Sequence, residues 1–346
     1  MSRALMKGPV SGLGAALLFG LSTPIAKLLL PGSGPFMLAG LLYLGSGLGL
    51  LVLAPLRGTP CEAPLGREDT APLLGVVVAG GVVAPLLLMY GLGRLPGSTA
   101  SLLLNLEAPF TIALAVLVFG ESLAPSEALG AGAVVLGGAA LGLPGVLGGF
   151  EAMGVLAVAG ACFGWALDNN LSQRLALHDP VAVVRVKSLV AGAVNVVLAL
   201  ALGERIPSAP ALLGALVTGL LGYGMSIVLH LRAMREVGTA RQAAFFATAP
   251  FAGACAALPL LGEHVSVREL GAAAAMAVGV AMMVRARHGH GHEHDAMEHE
   301  HAHVHDEHHA HVHEGPVSGS HSHPHQHAPL VHDHPHLPDA HHRHAH

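Results

Sequence analysis

Ten long apolar stretches leave this chain few folds to choose from. A hydrocarbon layer about 30 Å thick needs about 20 residues of helix to cross it. The stretches fall at roughly 11–30, 34–55, 71–92, 97–119, 126–143, 152–170, 181–203, 210–231, 239–261 and 268–286. In lipid each segment must satisfy its own backbone hydrogen bonds, which makes helices of them. The connections are short; the longest, Arg57 to Thr70, carries Glu62, Arg67, Glu68 and Asp69 and reads as a solvated loop. Charged residues are 11% of the chain, against about 25% in a soluble domain. Met1–Lys7 is basic and precedes an apolar stretch, but no small-residue cleavage site follows, so that stretch is expected to be the first span and not a signal peptide. Cys61, Cys162 and Cys255 follow no disulfide, zinc or redox spacing.

Lysine and arginine orient the chain. With the N-terminus inside, the cytoplasmic face receives Arg3, Lys7, Arg57, Arg67, Arg174, Arg232, Arg235, Arg285 and Arg287, with Arg185, Lys187 and Arg241 close to it. The opposite face receives only Arg94, Arg205 and Arg268. Both termini are therefore expected in the cytoplasm of a bacterial-type inner (plasma) membrane.

The chain repeats itself. LPGSTASLLLNLEAPFTIALAVLVFGE, Leu95–Glu121, matches EVGTARQAAFFATAPFAGACAALPLLGE, Glu236–Glu263. Gly97 pairs with Gly238, and Ala108–Phe110 with Ala249–Phe251, an offset of 141 residues. These are the fourth and ninth spans. Five spans separate them, an odd number, so the two halves lie oppositely in the membrane. Inverted repeats recur in secondary transporters, with the substrate site near the midplane between them.

ASLLLNLEAPFTIALAVLVFGE resembles the end-of-repeat signature of the EamA family in the drug/metabolite transporter superfamily. Gly222–Gly253 resembles its second-half counterpart, and Ala16–Leu30 and Ala161–Leu177 resemble the repeat starts. The resemblance covers most of residues 1–286. It implies ten transmembrane helices in two inverted five-helix repeats, 1–143 and 144–287, around a cavity opened alternately to each side. It names no solute, because members carry very different small molecules.

Charges in a membrane usually face a partner, a cavity or water. Glu107 is the deepest acid, two residues before Pro109, and its repeat mate is Thr248. A carboxylate in one half only is suited to coupling or substrate contact, or packs as a hydrogen-bonded family residue. Lys27 either snorkels to the surface or pairs with Glu107 or an anionic solute. Asp168, Asn169 and Asn170 end the sixth span, with Asp168 the best functional candidate. Asn195 in the seventh span reads as polar glue between helices. Lys187 and Gln242 sit near the cytoplasmic face. Asn105 and Tyr223 complete the cavity candidates, while Tyr43 and Trp165 line a cavity or pack. His230 is a hydrogen-bonded residue near a helix end. Glu121 and Glu263 close the repeats. Glycines such as Gly45, Gly47, Gly49, Gly130, Gly132, Gly137 and Gly138 are expected at close helix contacts. Pro24, Pro85, Pro109 and Pro250 are expected to bend or break their spans.

After Arg287 the text changes. Residues 288–346 hold 23 of the 26 histidines and nine of the 22 acids, but one arginine. HGHGHEH presents His288, His290, His292 and His294; HEHAHVH presents His299, His301, His303 and His305; HSHPHQH presents His321, His323, His325 and His327. The end adds His341, His342, His344 and His346. Neutral imidazoles with interleaved carboxylates suit zinc, nickel, cobalt or copper. With few large apolar residues the segment is expected to be a disordered metal-binding tail.

The function read from the sequence is a secondary transporter of a small organic solute, with no cofactor required and a metal-binding tail. The alternatives are a divalent metal (Ni/Co/Zn) transporter, or a membrane-anchored metal buffer or sensor that carries nothing. No nucleophile–base pair, phosphate loop or zinc-enzyme spacing is present, which points away from an enzyme. Expected partners are the solute, divalent metal ions and lipid, not nucleic acid. A homodimer is compatible with the sequence.

Overall fold

The computed structural model describes residues 7–53, 65–119, 123–142, 149–172, 175, 178–237 and 239–285, and in the C-terminal region 291–294, 297–303, 321–327 and 330–333. Among these are nine apolar helices of 19 to 25 residues: Gly8–Gly32, Pro35–Leu53, Thr70–Leu92, Gly97–Val118, Phe150–Ser172, Val181–Ala201, Ala209–Ala233, Gln242–Leu261 and Val267–Arg285. The fifth expected span, Pro125–Leu141, is shorter at 17 residues. At about 1.5 Å per residue it still reaches most of the way across. The chain is therefore an all-α membrane protein of ten helices in two inverted repeats of five.

The repeats interlock. The first span packs on the eighth and ninth, in the other half, and the sixth packs on the third and fourth. The second and seventh spans, which are repeat mates, lie against each other, as do the fifth and tenth. Small residues make these mate-to-mate seams close. A Cβ on Gly130 would come within 2.6 Å of the Gly279 carbonyl oxygen, and a Cβ on Gly279 within 2.5 Å of that of Gly130. Gly132, two residues on, does not share this role, since nothing lies within 4 Å of its Cβ position. Between the second and seventh spans, Ser46 and Ser188, 142 residues apart, hydrogen-bond each other at 3.2 Å.

Four spans are interrupted rather than smoothly bent, again in pairs. A π-helical turn occupies Val77–Val83 in the third span, and another occupies Gly219–Met225 in the eighth, offset by 142. The fourth span changes from Gly97–Leu103 to Glu107–Phe119 through the 3-10 turn Leu104–Leu106. The ninth changes from Thr239–Phe246 to Ala249–Leu261. Pro109 and Pro250 sit in the first turn after such a break, where a missing N–H costs little; Pro85 follows closely on the π turn of the third span.

In the C-terminal region, β1 (Gly291–His294) pairs antiparallel with β4 (Leu330–Asp333), and β2 (Met297–His303) with β3 (His321–His327). The His-x-His alternation has the two-residue period of a strand, and the register sets His299 opposite His325, His301 opposite His323 and His303 opposite His321. His288, His290, His305, His341, His342, His344 and His346 lie outside the described residues.

Candidate functional site: a polar vestibule at the helix breaks

Glu107 begins the second half of the fourth span, just past its break. Its backbone carbonyl accepts the Thr111 hydroxyl at 2.9 Å. Its Oε1 accepts the side-chain amide of Asn169 at 2.8 Å. Among the described residues Oε2 has no hydrogen-bond partner. Ala108, Asn169 and the repeat mate Thr248 are exposed, and Glu107 is half-buried. An unpaired charge in hydrocarbon is costly, so a half-open carboxylate at a mid-span break is suited to a polar vestibule bordering the breaks.

Beside it, Asp168 and Lys187 form an ion pair between the sixth and seventh spans, with only 7% and 15% of their side chains exposed. Ser172 donates to the other Asp168 oxygen at 3.2 Å. The pair occupies the space next to Gly80, whose missing side chain is what admits the Asp168 carboxylate.

Gly80 lies in the π turn, and Pro85 explains what surrounds it. In the π pattern residue 85 would donate its N–H to Gly80, and in the α pattern to Gly81; proline has no N–H to give. Both orphaned carbonyls are capped by side chains. Gly80 accepts from the Tyr43 hydroxyl at 2.6 Å and the Trp165 indole at 3.1 Å. Gly81 accepts from Asn195 at 3.1 Å. Tyr43 continues an aromatic chain, its ring 5.5 Å from Tyr223, with Phe19 5.9 Å beyond and Phe246 a further 5.3 Å on. His230 closes the row against Phe246 at 4.9 Å and hydrogen-bonds Gln242 at 3.0 Å.

The sequence candidates thus divide by place. Glu107, Asp168 and Lys187 gather at the breaks, and Tyr223 and Gln242 join them through the aromatic row. Asn195 is fully buried and caps a carbonyl. Asn105 is buried on the carbonyl of Leu102 at 2.9 Å and on the Met276 sulfur. Lys27 lies apart, donating to the carbonyls of Leu92, at 2.9 Å, and Leu95 where the third span ends. Sequence reasoning passed over two things. Asn169 is the partner of Glu107, though Asp168 beside it was preferred. The π turns carry no mark in an apolar text, but a proline inside a span together with unplaced buried donors was a usable signal.

The fold defines a class: a polytopic inverted-repeat membrane protein with broken helices, the plan of secondary transporters. The EamA-like transporter family model matches twice, over residues 6–142 and 152–285. The chain belongs to that family and is a membrane transporter. An "Uncharacterized transporter" of Methanothermobacter thermautotrophicus is 31% identical over 285 residues, covering 76% of this chain and 81% of the relative. One solved crystal structure superposes with a TM-score of 0.57 at 20% identity, covering 82% of this chain and 98% of that one, and supports the fold alone.

Proposed function

We propose that the protein moves a small organic solute or metabolite across an inner membrane by alternating access, with the vestibule at the breaks of the fourth and ninth spans as its binding region. The observation that carries this reading is Glu107: one carboxylate oxygen held by Asn169, the other unengaged, at mid-depth beside a buried Asp168–Lys187 pair. One oxygen fixed and one available is the arrangement of a group that receives a donor from a solute or a proton. The ion pair beside it is internally neutral, so Glu107 sets the charge of the vestibule. A metal ion as cargo has less support, since among the described residues no three His, Cys, Asp or Glu side chains converge. The test is uptake by proteoliposomes of a panel of metabolites and of zinc, nickel and cobalt, for the wild type and Glu107→Gln. Uptake of an organic solute that Glu107→Gln loses upholds the reading. Uptake of metal alone, or no uptake at all, replaces it with one of the two alternatives.

In the same proposal both termini are cytoplasmic and the region after Arg287 binds divalent metal. Histidines as mutual register partners would set imidazoles of two strands at one level of a ladder. A protonated imidazole has no lone pair for a metal, so bound ions should leave as pH falls through about 6.5, the unperturbed histidine value. Calorimetric titration with zinc, of the full chain and of one ending at Arg287, should show loss of most binding in the shorter chain.

A further inference from the structure

One end of the bundle is clasped by side chains that reach from one half to the other. Alternating spans place the start of the fourth span, the end of the ninth and the start of the tenth together at the end opposite the N-terminus. There Gly97–Leu103 packs along Ala249–Leu261. Two acids of the second half close on the first half at this seam. Glu263 accepts the backbone N–H groups of Gly97 at 2.6 Å and Ser98 at 2.8 Å. Glu269 accepts the hydroxyls of Ser98 at 3.0 Å and Thr99 at 2.7 Å, while its other oxygen holds the Ser266 N–H at 2.9 Å.

Inverted symmetry says what the other end would look like if it were equally shut. Glu107–Phe119 would pack along Thr239–Phe246, since these are the repeat mates of the pair above; among the described residues the two segments do not pack in this way. Glu127, the mate of Glu269 at an offset of 142, would reach across to the opposite half. It accepts instead from the N–H of Ala124, in its own helix start, at 3.0 Å, and among the described residues it holds nothing from the other half. One acid, placed twice by the repeat, clasps the opposite half at one end and, among the described residues, caps only its own helix at the other. The exposed Ala108, Asn169 and Thr248 lie on the unclasped side of the breaks.

We infer that Glu263 and Glu269, with Gly97, Ser98 and Thr99, form the gate at the end opposite the N-terminus. This structure is the state in which that gate is shut and the vestibule is open toward the N-terminal side. The purpose of the gate rests on the transport reading, but its existence does not, and it can be tested without knowing the solute. Each acid receives two hydrogen bonds across the seam, and an amide in its place accepts them more weakly and without charge.

The test is side-specific labelling of Thr248→Cys by a membrane-impermeant maleimide, in the full chain with Cys61, Cys162 and Cys255 replaced by alanine. The parent should label from the N-terminal side and hardly from the other. Glu263→Gln with Glu269→Gln should raise labelling from the far side about tenfold, as expected on weakening several charge-assisted hydrogen bonds. Ser98→Ala with Thr99→Val removes the two hydroxyl donors to Glu269 while the backbone donors to Glu263 remain; it should shift labelling the same way by a smaller factor, which covers the case in which the acid variants fail to fold. Glu127→Gln should leave both sides unchanged. Far-side labelling unaltered by either gate variant, equal labelling of the parent from both sides, or an equal rise in Glu127→Gln would overturn the inference. Absence of transport with the expected labelling would count against the transport reading and leave the gate standing.

Discussion

Position 107 of the first half holds a carboxylate, and position 248, its mate in the second, holds a hydroxyl. The same inequality recurs around the π turns. Gly80 has Asp168 against it where Gly222 has Ser22. Pro85 strips an N–H from the third span, whereas its counterpart in the eighth is Ile227, which keeps one. The donors Tyr43, Trp165 and Asn195 converge only where the proline has left carbonyls bare. The halves therefore share a backbone plan, down to the π turns, and divide the labour. Because the π turn survives without the proline in the second half, the proline is not its cause. The polar chemistry of the first half sits on a break that both halves share.

The largest expected consequence of this inequality is at the mated positions themselves. Glu107→Gln should lower transport about tenfold or more, the value of one charged hydrogen bond, while Thr248→Ala should change it less than about twofold; uptake rates of folded protein decide. Equal effects would make the halves functionally alike. Next comes the buried pair. Lys187→Met should cost about 3–5 kcal/mol because it strands Asp168, and Asp168→Asn with Lys187→Met should cost less than Lys187→Met alone. Thermal unfolding in detergent, compared across the two variants, measures the difference.

Smaller, and aimed at the proline, is a coupling experiment. Asn195→Leu leaves the Gly81 carbonyl bare and should cost about 1–3 kcal/mol. In a Pro85→Ala background the restored N–H can serve that carbonyl, and the cost should shrink. An unchanged cost would separate Asn195 from Pro85. The smallest effects compare two glycines of one helix. Gly130→Ala should destabilise by about 1–3 kcal/mol, because its methyl would enter the Gly279 backbone. Gly132→Ala, with open space around it, should be neutral or stabilise by up to about 1 kcal/mol. The same unfolding assay reads both.

Much of the fold was legible because its signals are local or periodic. Apolar length gives the spans, and the matching Ala-Pro-Phe segments give the inverted repeat. The site was legible only in part. Glu107 stands out as a lone acid at depth, but its partner Asn169 lies 62 residues away and nothing in the spacing joins them. The Asp168–Lys187 pair bridges two spans, so no helical i, i+4 rule could find it. Lys27 reads equally well as a functional cation and as a helix-end residue, and only geometry shows it on the carbonyls of Leu92 and Leu95. The gate was harder still. Glu263 was visible as a repeat-ending acid, but Glu269 looks like any acid at a helix start until its contact with Ser98 and Thr99 is seen.

The seam between the second and seventh spans, which carries the Ser46–Ser188 hydrogen bond, joins a span to its own repeat mate. Such a seam sits on the two-fold axis that relates the halves, and exchanging their roles maps it onto itself. It therefore contributes the same free energy whichever way the molecule faces. The seam of the fifth and tenth spans, which are also repeat mates, shares this property. Contacts of this kind act as a bearing: they hold the halves together through the cycle and cannot drive it in either direction. Any preference for one facing must come from off-axis groups whose mates differ. Substitutions at the bearing should alter how firmly the halves are joined, and those off the axis which way they tilt.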